Sequence, residues 1–258
     1  MGWLSRLLRP RPPLIAVTEF DAAAARLPIL NRLDTRELAR LRSVASLFMH
    51  TKRFTAAGGA EVSRSTQLAI ALQACLLILN LDERSYRGWR EIVLYPNAFL
   101  RPRQETDAAG VVHHSRDILS GESWHSGPLV LSIDDVLAGG QGNGNNVVLH
   151  EFAHKLDMLN GIADGFPPLH RGMDSVSWER DFSVAYADFR SRVDHGEITA
   201  INPYAATQPA EFFAGLSEVF FETPAVLQHE YPEVYTQMHQ FYRQDPLVRG
   251  GRPSLSPF

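Results

Sequence analysis

The sequence predicts an α+β fold, with several helices packed on a small sheet, rather than a regular βαβ series. Three observations carry that prediction. Apolar residues recur at helical spacing in several separate segments. Only three short runs, Glu91–Tyr95, Val111–His114 and Leu129–Ile133, read as strands. Those runs follow one another in mid-chain, with the helical segments grouped before and after them.

Taken in order, residues 1–33 are rich in Pro and Ala and read as a variable, loosely ordered lead-in. Asp34-Thr35-Arg36-Glu37 supplies a capping residue and an acidic first turn, so a helix starts there. Leu38, Leu41, Val44, Ala45 and Phe48 carry it to about His50. An apolar helix near 66–80 follows, then the three strands. Gly139–Asn146 (Gly-Gly-Gln-Gly-Asn-Gly-Asn-Asn) is a loop whose asparagines can cap the next helix. That helix, Val147–Leu159, stops at Asn160-Gly161. Further helices are expected at about 176–193, 208–222 and 231–243. One domain over 34–247 and a flexible Gly/Pro/Ser tail over 248–258 complete the outline.

Composition narrows the function. With 258 residues, 45% of them hydrophobic, the chain can bury a sizeable core. A net charge of −4 supplies no global basic field for nucleic acid or an anionic membrane. The single cysteine, Cys75, lies in an apolar run, forms no intrachain disulfide and suits a reducing compartment. The greasiest stretch, Leu68–Leu81, is interrupted by Gln73 and Asn80 and is shorter than the roughly 20 residues a bilayer span needs. The apolar run between the arginines of Met1–Pro13 is too short for an export signal, and Arg6 breaks a myristoylation pattern. A cytoplasmic, monomeric protein is expected. The Gly-rich loop has no Lys and no strand before it, so it does not read as a phosphate cradle.

The chemistry sits in Val147-Val-Leu-His-Glu-Phe-Ala-His154. Histidines four apart on a helix share a face, so His150 and His154 can reach one ion. Neutral imidazole is a good zinc ligand, and Glu151 stands beside the ion as the candidate general base. Without a metal, two imidazoles and a carboxylate among Val, Leu and Phe would be costly to bury. A third ligand must come from elsewhere. Asp157 and Asn160 stand where a His-x-x-Gly-x-x-His continuation would need Gly and His, so a later glutamate is expected, among Glu179, Glu197, Glu211, Glu218 and Glu222. Helical spacing puts Glu211, Gly215, Glu218 and Glu222 on one stripe beside Phe212, Phe213, Phe220 and Phe221. Glu211 and Glu218 are the stronger candidates, Glu222 reads as a solvated face, and Gly215 would admit another helix closely. Asp157, on the ligand face, can accept the free N–H of a ligating histidine or serve as a helix-end cap or salt-bridge partner.

His150–Asp157, Ser120–Leu129, Tyr204–Phe213 and Gln240–Pro246 together resemble the MtfA family, bacterial zinc peptidases named as titration factors of the glucose repressor Mlc. The resemblance runs from about residue 35 to 247. It implies a zincin-like fold related to the catalytic domain of anthrax lethal factor, one Zn²⁺ per chain and Glu211 as the third ligand. It also matches Tyr204 to a tyrosine that assists catalysis. Gly215 replaces a second glutamate of that relative, which leaves its role vacant or to Glu218.

Metal-assisted peptide hydrolysis is therefore expected, with Glu151 moving the proton and Tyr204 donating to the oxyanion. The resemblance suggests small aminopeptidase substrates. The strand at Leu129–Ile133 is expected to be the cleft edge that pairs with extended substrate. The alternative is a regulatory protein that sequesters an Mlc-like repressor, with hydrolysis secondary. A purely structural zinc site would need a fourth protein ligand, and the sequence offers no obvious one.

Overall fold

The computed structural model describes residues 12–97, 99–106, 112–119, 121–123 and 127–249. The described part of the expected lead-in is not loose. It forms helix α1 (Val17–Ala24) and a 3-10 turn at Pro28–Arg32, and it buries Phe20, Leu27, Ile29, Leu30 and Leu33. The alanines and prolines there flank apolar anchors that bulk composition averages away.

Capping chemistry sets the next boundaries. Asp34 accepts the Glu37 N–H at 2.8 Å and Glu37 accepts the Asp34 N–H at 3.0 Å, so α2 (Thr35–Thr51) starts on the expected reciprocal cap. Strand β1 (Arg53–Ala56) leads to α3 (Arg64–Leu77), capped by Ser63, which buries nearly its whole circumference, Cys75 included. Strand β2 (Glu91–Tyr95) forms where expected. Beyond it, β3 (Phe99–Thr106) and β4 (Val112–Leu119) pair antiparallel as a separate two-stranded ribbon. The expected strand at Val111–His114 is thus the start of a longer one, and residue 111 lies outside the described residues. The short β5 (Gly121–Ser123) and β6 (Leu129–Ser132) follow. Ser132 then caps α4 (Ile133–Ala138), which takes Ile133 out of the expected strand.

The main sheet has the order β1-β2-β6-β5, with the first three strands parallel and β5 antiparallel. Alternate residues Ile92, Leu94, Leu129 and Leu131 are fully buried, as period-two geometry requires. The expectation that Leu129–Ile133 forms the cleft edge is overturned. Strand β6 is paired on both sides, and β5 occupies that edge.

The rest is helical: α5 (Val147–Asp157), α6 (Ser175–Asp194), α7 (Pro209–Glu222), α8 (Pro224–Glu230), α9 (Pro232–Tyr242) and α10 (Pro246–Arg249). Gly161, at φ 104°, ends the turn after α5 at the expected terminator. Pro224 and Pro232 sit at first helical positions and divide what the sequence left as one connection plus one helix. Helix α10 occupies the start of the expected tail, whose residues 250–258 lie outside the described ones. No helix among the described residues is long and apolar enough to cross a membrane.

Helix α5 lies between two aromatic clusters. Phe152 on its far side meets Phe48, Tyr86 and Trp89 at ring distances of 5.0–5.7 Å. On the other side α7 packs against it, and Phe212 and Phe213 meet Trp178, Phe182, Phe189 and Phe241. Each buried Phe contributes roughly 1.5–3 kcal/mol of transfer free energy, so both flanks of α5 are firmly held.

Candidate metal centre

Helix α5 starts on Asn146, whose side chain accepts the Leu149 N–H at 3.0 Å. That cap sets the rotation of the first turn and points His150 and His154 toward α7. His150 Nε2 and His154 Nε2 lie 3.2 Å apart, and Glu211 Oε2 is 3.0 Å from the first and 3.4 Å from the second. Among the described residues these three are the group of His, Cys and carboxylate side chains that could hold a metal. N/O ligands about 2.0–2.1 Å from a tetrahedral zinc lie about 3.3–3.4 Å from one another, so the observed triangle fits such an ion closely. All three side chains are largely buried.

Charge is concentrated here. Burial alone would keep the His150 imidazole neutral, but the Glu211 and Glu218 carboxylates outweigh it and push the pKa well above the usual histidine range. Burial would likewise raise Glu211, but His150 and His154 beside it hold its carboxyl well below the usual range. A proton and a cation compete for the same imidazole lone pair, so metal binding at this triangle releases protons.

The expected acidic stripe divides into three different tasks. Glu211 completes the triangle. Glu218, two turns on, takes His150 Nδ1 at 2.8 Å with one oxygen and the Asn146 N–H with the other. Glu222 is not a solvated face. It is 1% exposed and accepts hydrogen bonds from Gly140 N, Gly142 N, Asn143 N and Asn146 Nδ2. The sequence signal was present, since Glu222 shares a stripe with Glu218 and the Gly-rich loop carries many backbone N–H groups. Nothing in the sequence shows that the two meet. Gly215 does admit a close neighbour, but a Cβ there would face Ala205 at 3.1 Å, on a turn rather than a helix.

The remaining candidates separate clearly. Glu151 is buried, one position after His150. Glu179 and Glu197 are exposed, and Glu197 pairs with Arg192 at 3.1 Å. Tyr204 lies half-exposed on the 3-10 turn Pro203–Ala206, which packs on α7. Asp157 accepts the Gly165 N–H at 2.8 Å, while His154 Nδ1 has no partner among the described residues. Of the readings open for Asp157, the bond to a ligating histidine is not formed: Gly165 takes Oδ2, and Oδ1, like His154 Nδ1, has no partner among the described residues.

Comparison with known families gives a match over residues 5–243 to the glucose-regulated metallo-peptidase M90 family. The match extends well into the N-terminal segment, beyond the part in which motifs alone are recognisable. Among individual proteins, Mlc titration factor A of Yersinia pestis (strain Pestoides F) is 36% identical over 250 residues, covering 96% of this chain and 91% of the relative. Mlc titration factor A of Yersinia pseudotuberculosis serotype O:3 (strain YPIII) matches with the same identity and coverage.

Proposed function

Because the chain belongs to the glucose-regulated metallo-peptidase M90 family, we propose that it is a zinc-dependent, aminopeptidase-like peptidase of gluzincin type. His150, His154 and Glu211 would hold one Zn²⁺, with Glu151 as general base and Tyr204 as oxyanion donor. The observation that carries this reading is the 3.0–3.4 Å triangle of ligand atoms. A zinc ion held there supplies a Lewis acid that polarises the peptide carbonyl and brings the pKa of water to about 7.

The chain's own residues do the rest. Glu218 accepts the Nδ1 proton of His150 and so presents the Nε2 lone pair to the centre. Glu151 takes the proton of the attacking water and passes it to the leaving amine. Tyr204, on its turn above α7, donates to the carbonyl oxygen as it becomes tetrahedral. An extended substrate lies along β5, the antiparallel edge strand beside α5, and pairs with it through its backbone. The buried lone thiol suits a cytoplasmic setting.

Glu151→Gln tests the reading. It should retain about one zinc per chain while peptide cleavage falls by a factor of 10² to 10⁴; cleavage that persists removes the enzymatic account. The name of the relatives favours a second role, capture of an Mlc-like repressor. The same variant should still bind that repressor if capture needs only the folded surface.

A further inference from the structure

Helix α5 is held at its first turn by side chains that no ligand contact explains. Asn146 makes four hydrogen bonds there: its Oδ1 caps Leu149 N, its N–H donates to Glu218, and its Nδ2 donates to both Gln73 Oε1 and Glu222 Oε1 at 2.7 Å. Gln73 and Glu222 are 0% and 1% exposed. A buried carboxylate is costly unless its lone pairs are filled, and Glu222 fills them from three loop N–H groups and the Asn146 amide. The loop can turn inward in this way because Gly140 and Gly142 sit at φ 79° and 77°, where side chains are strained. Glu218, one turn before Glu222, then joins Asn146 to His150.

We propose that Glu222 is a positioning residue for the metal centre, acting on His150 through Asn146 and Glu218. It locks the plane of the Asn146 amide. With its Oδ1 capping Leu149 N, the locked side chain holds the backbone of Asn146 in place, so that its main-chain N–H stays on one oxygen of Glu218 and the other oxygen stays aimed at His150 Nδ1. The orientation of the ring, and hence of the Nε2 lone pair, is set from outside the ligand triangle. The inference rests on the metal site of the proposed function, and it adds residues for which the peptidase chemistry itself has no use.

The test is zinc affinity of the full-length chain, measured by competition with a chromophoric chelator at fixed pH. Glu222→Gln keeps the volume but places an amide NH₂ against groups that are all donors, so its dissociation constant should rise 10–100-fold, the range for disrupted partners of metal ligands. Asn146→Ser keeps a good cap but cuts the link to Glu222, and it should raise the constant about tenfold. Circular dichroism verifies folding, and if Glu222→Gln does not fold, Asn146→Ser decides. A merely structural Glu222 would lower the thermal midpoint and leave zinc affinity unchanged; that result overturns the proposal. If wild type binds zinc and both variants match it, only this inference fails. If wild type binds none, the metal reading falls and this inference with it.

Discussion

At position 157 a fully buried carboxylate accepts the Gly165 N–H, and burial, with Asp164 adding to it, pushes its pKa up to about 6 from 3.8. The folded chain therefore binds this proton more tightly than the unfolded one. The resulting cost is absent below about pH 4, grows between about 4 and 6, and is complete above 6. Asp157→Asn still offers an oxygen to Gly165 and carries no charge. With chelator present, to remove metal effects, it should be more stable than wild type at pH 8 by about 2–3 kcal/mol. That advantage should shrink toward pH 5. A pH-independent difference in urea midpoints would show that ionisation is not the cause. The same residue marks where reading from sequence stopped. Its place on the ligand face followed from helical spacing, but Gly165 is contributed by a returning loop that no periodicity foretells.

Among the elements, α7 joins core and site. Its Phe213 is fully buried against Trp178, Phe182 and Phe241, while Glu211, Glu218 and Glu222 line the face toward α5. Phe213→Ala should cost about 3–5 kcal/mol, seen as a lower denaturant midpoint. A loss under about 1 kcal/mol would mean the cluster closes over the cavity without penalty. The longer helices and their ends could be read from the chain because capping is local, as Asp34, Asn146 and Gly161 show, while the short α1, α4 and α8 could not. The histidine pair was legible for the same reason, since a four-residue spacing is itself a geometric statement. The strand order was not. Whether β6 lies inside the sheet or at its edge depends on β5 folding back antiparallel, a pairing between segments that no single segment encodes. Glu222 belongs with it: its burial is a property of the loop that covers it.

For the whole molecule, the N-terminal segment matters more than its composition implies. Leu27 packs where a Cβ on Gly140 would lie 2.6 Å from its Cδ2, Ile29 donates its N–H to Gly140 O at 3.2 Å, and Gln141 Nε2 donates to Arg26 O. The segment thus backs the loop that Glu222 holds. Deleting residues 1–33 removes six buried apolar side chains among the described residues (Ile15, Phe20, Leu27, Ile29, Leu30 and Leu33) and should lower the thermal midpoint by roughly 10 °C or more. A scan that shows no change would make the segment a passive wrapper.

The contact between His150 and Glu211 joins residues 61 positions apart in the chain. An ion gripping both ends of that excursion is in effect a removable cross-link. By chain-entropy arithmetic, closing a loop of that size restricts the unfolded ensemble by about 4 kcal/mol. Metal supply would then govern not only turnover but the lifetime of the polypeptide. The cation-starved chain would open more often, and cellular proteases would meet it in that state.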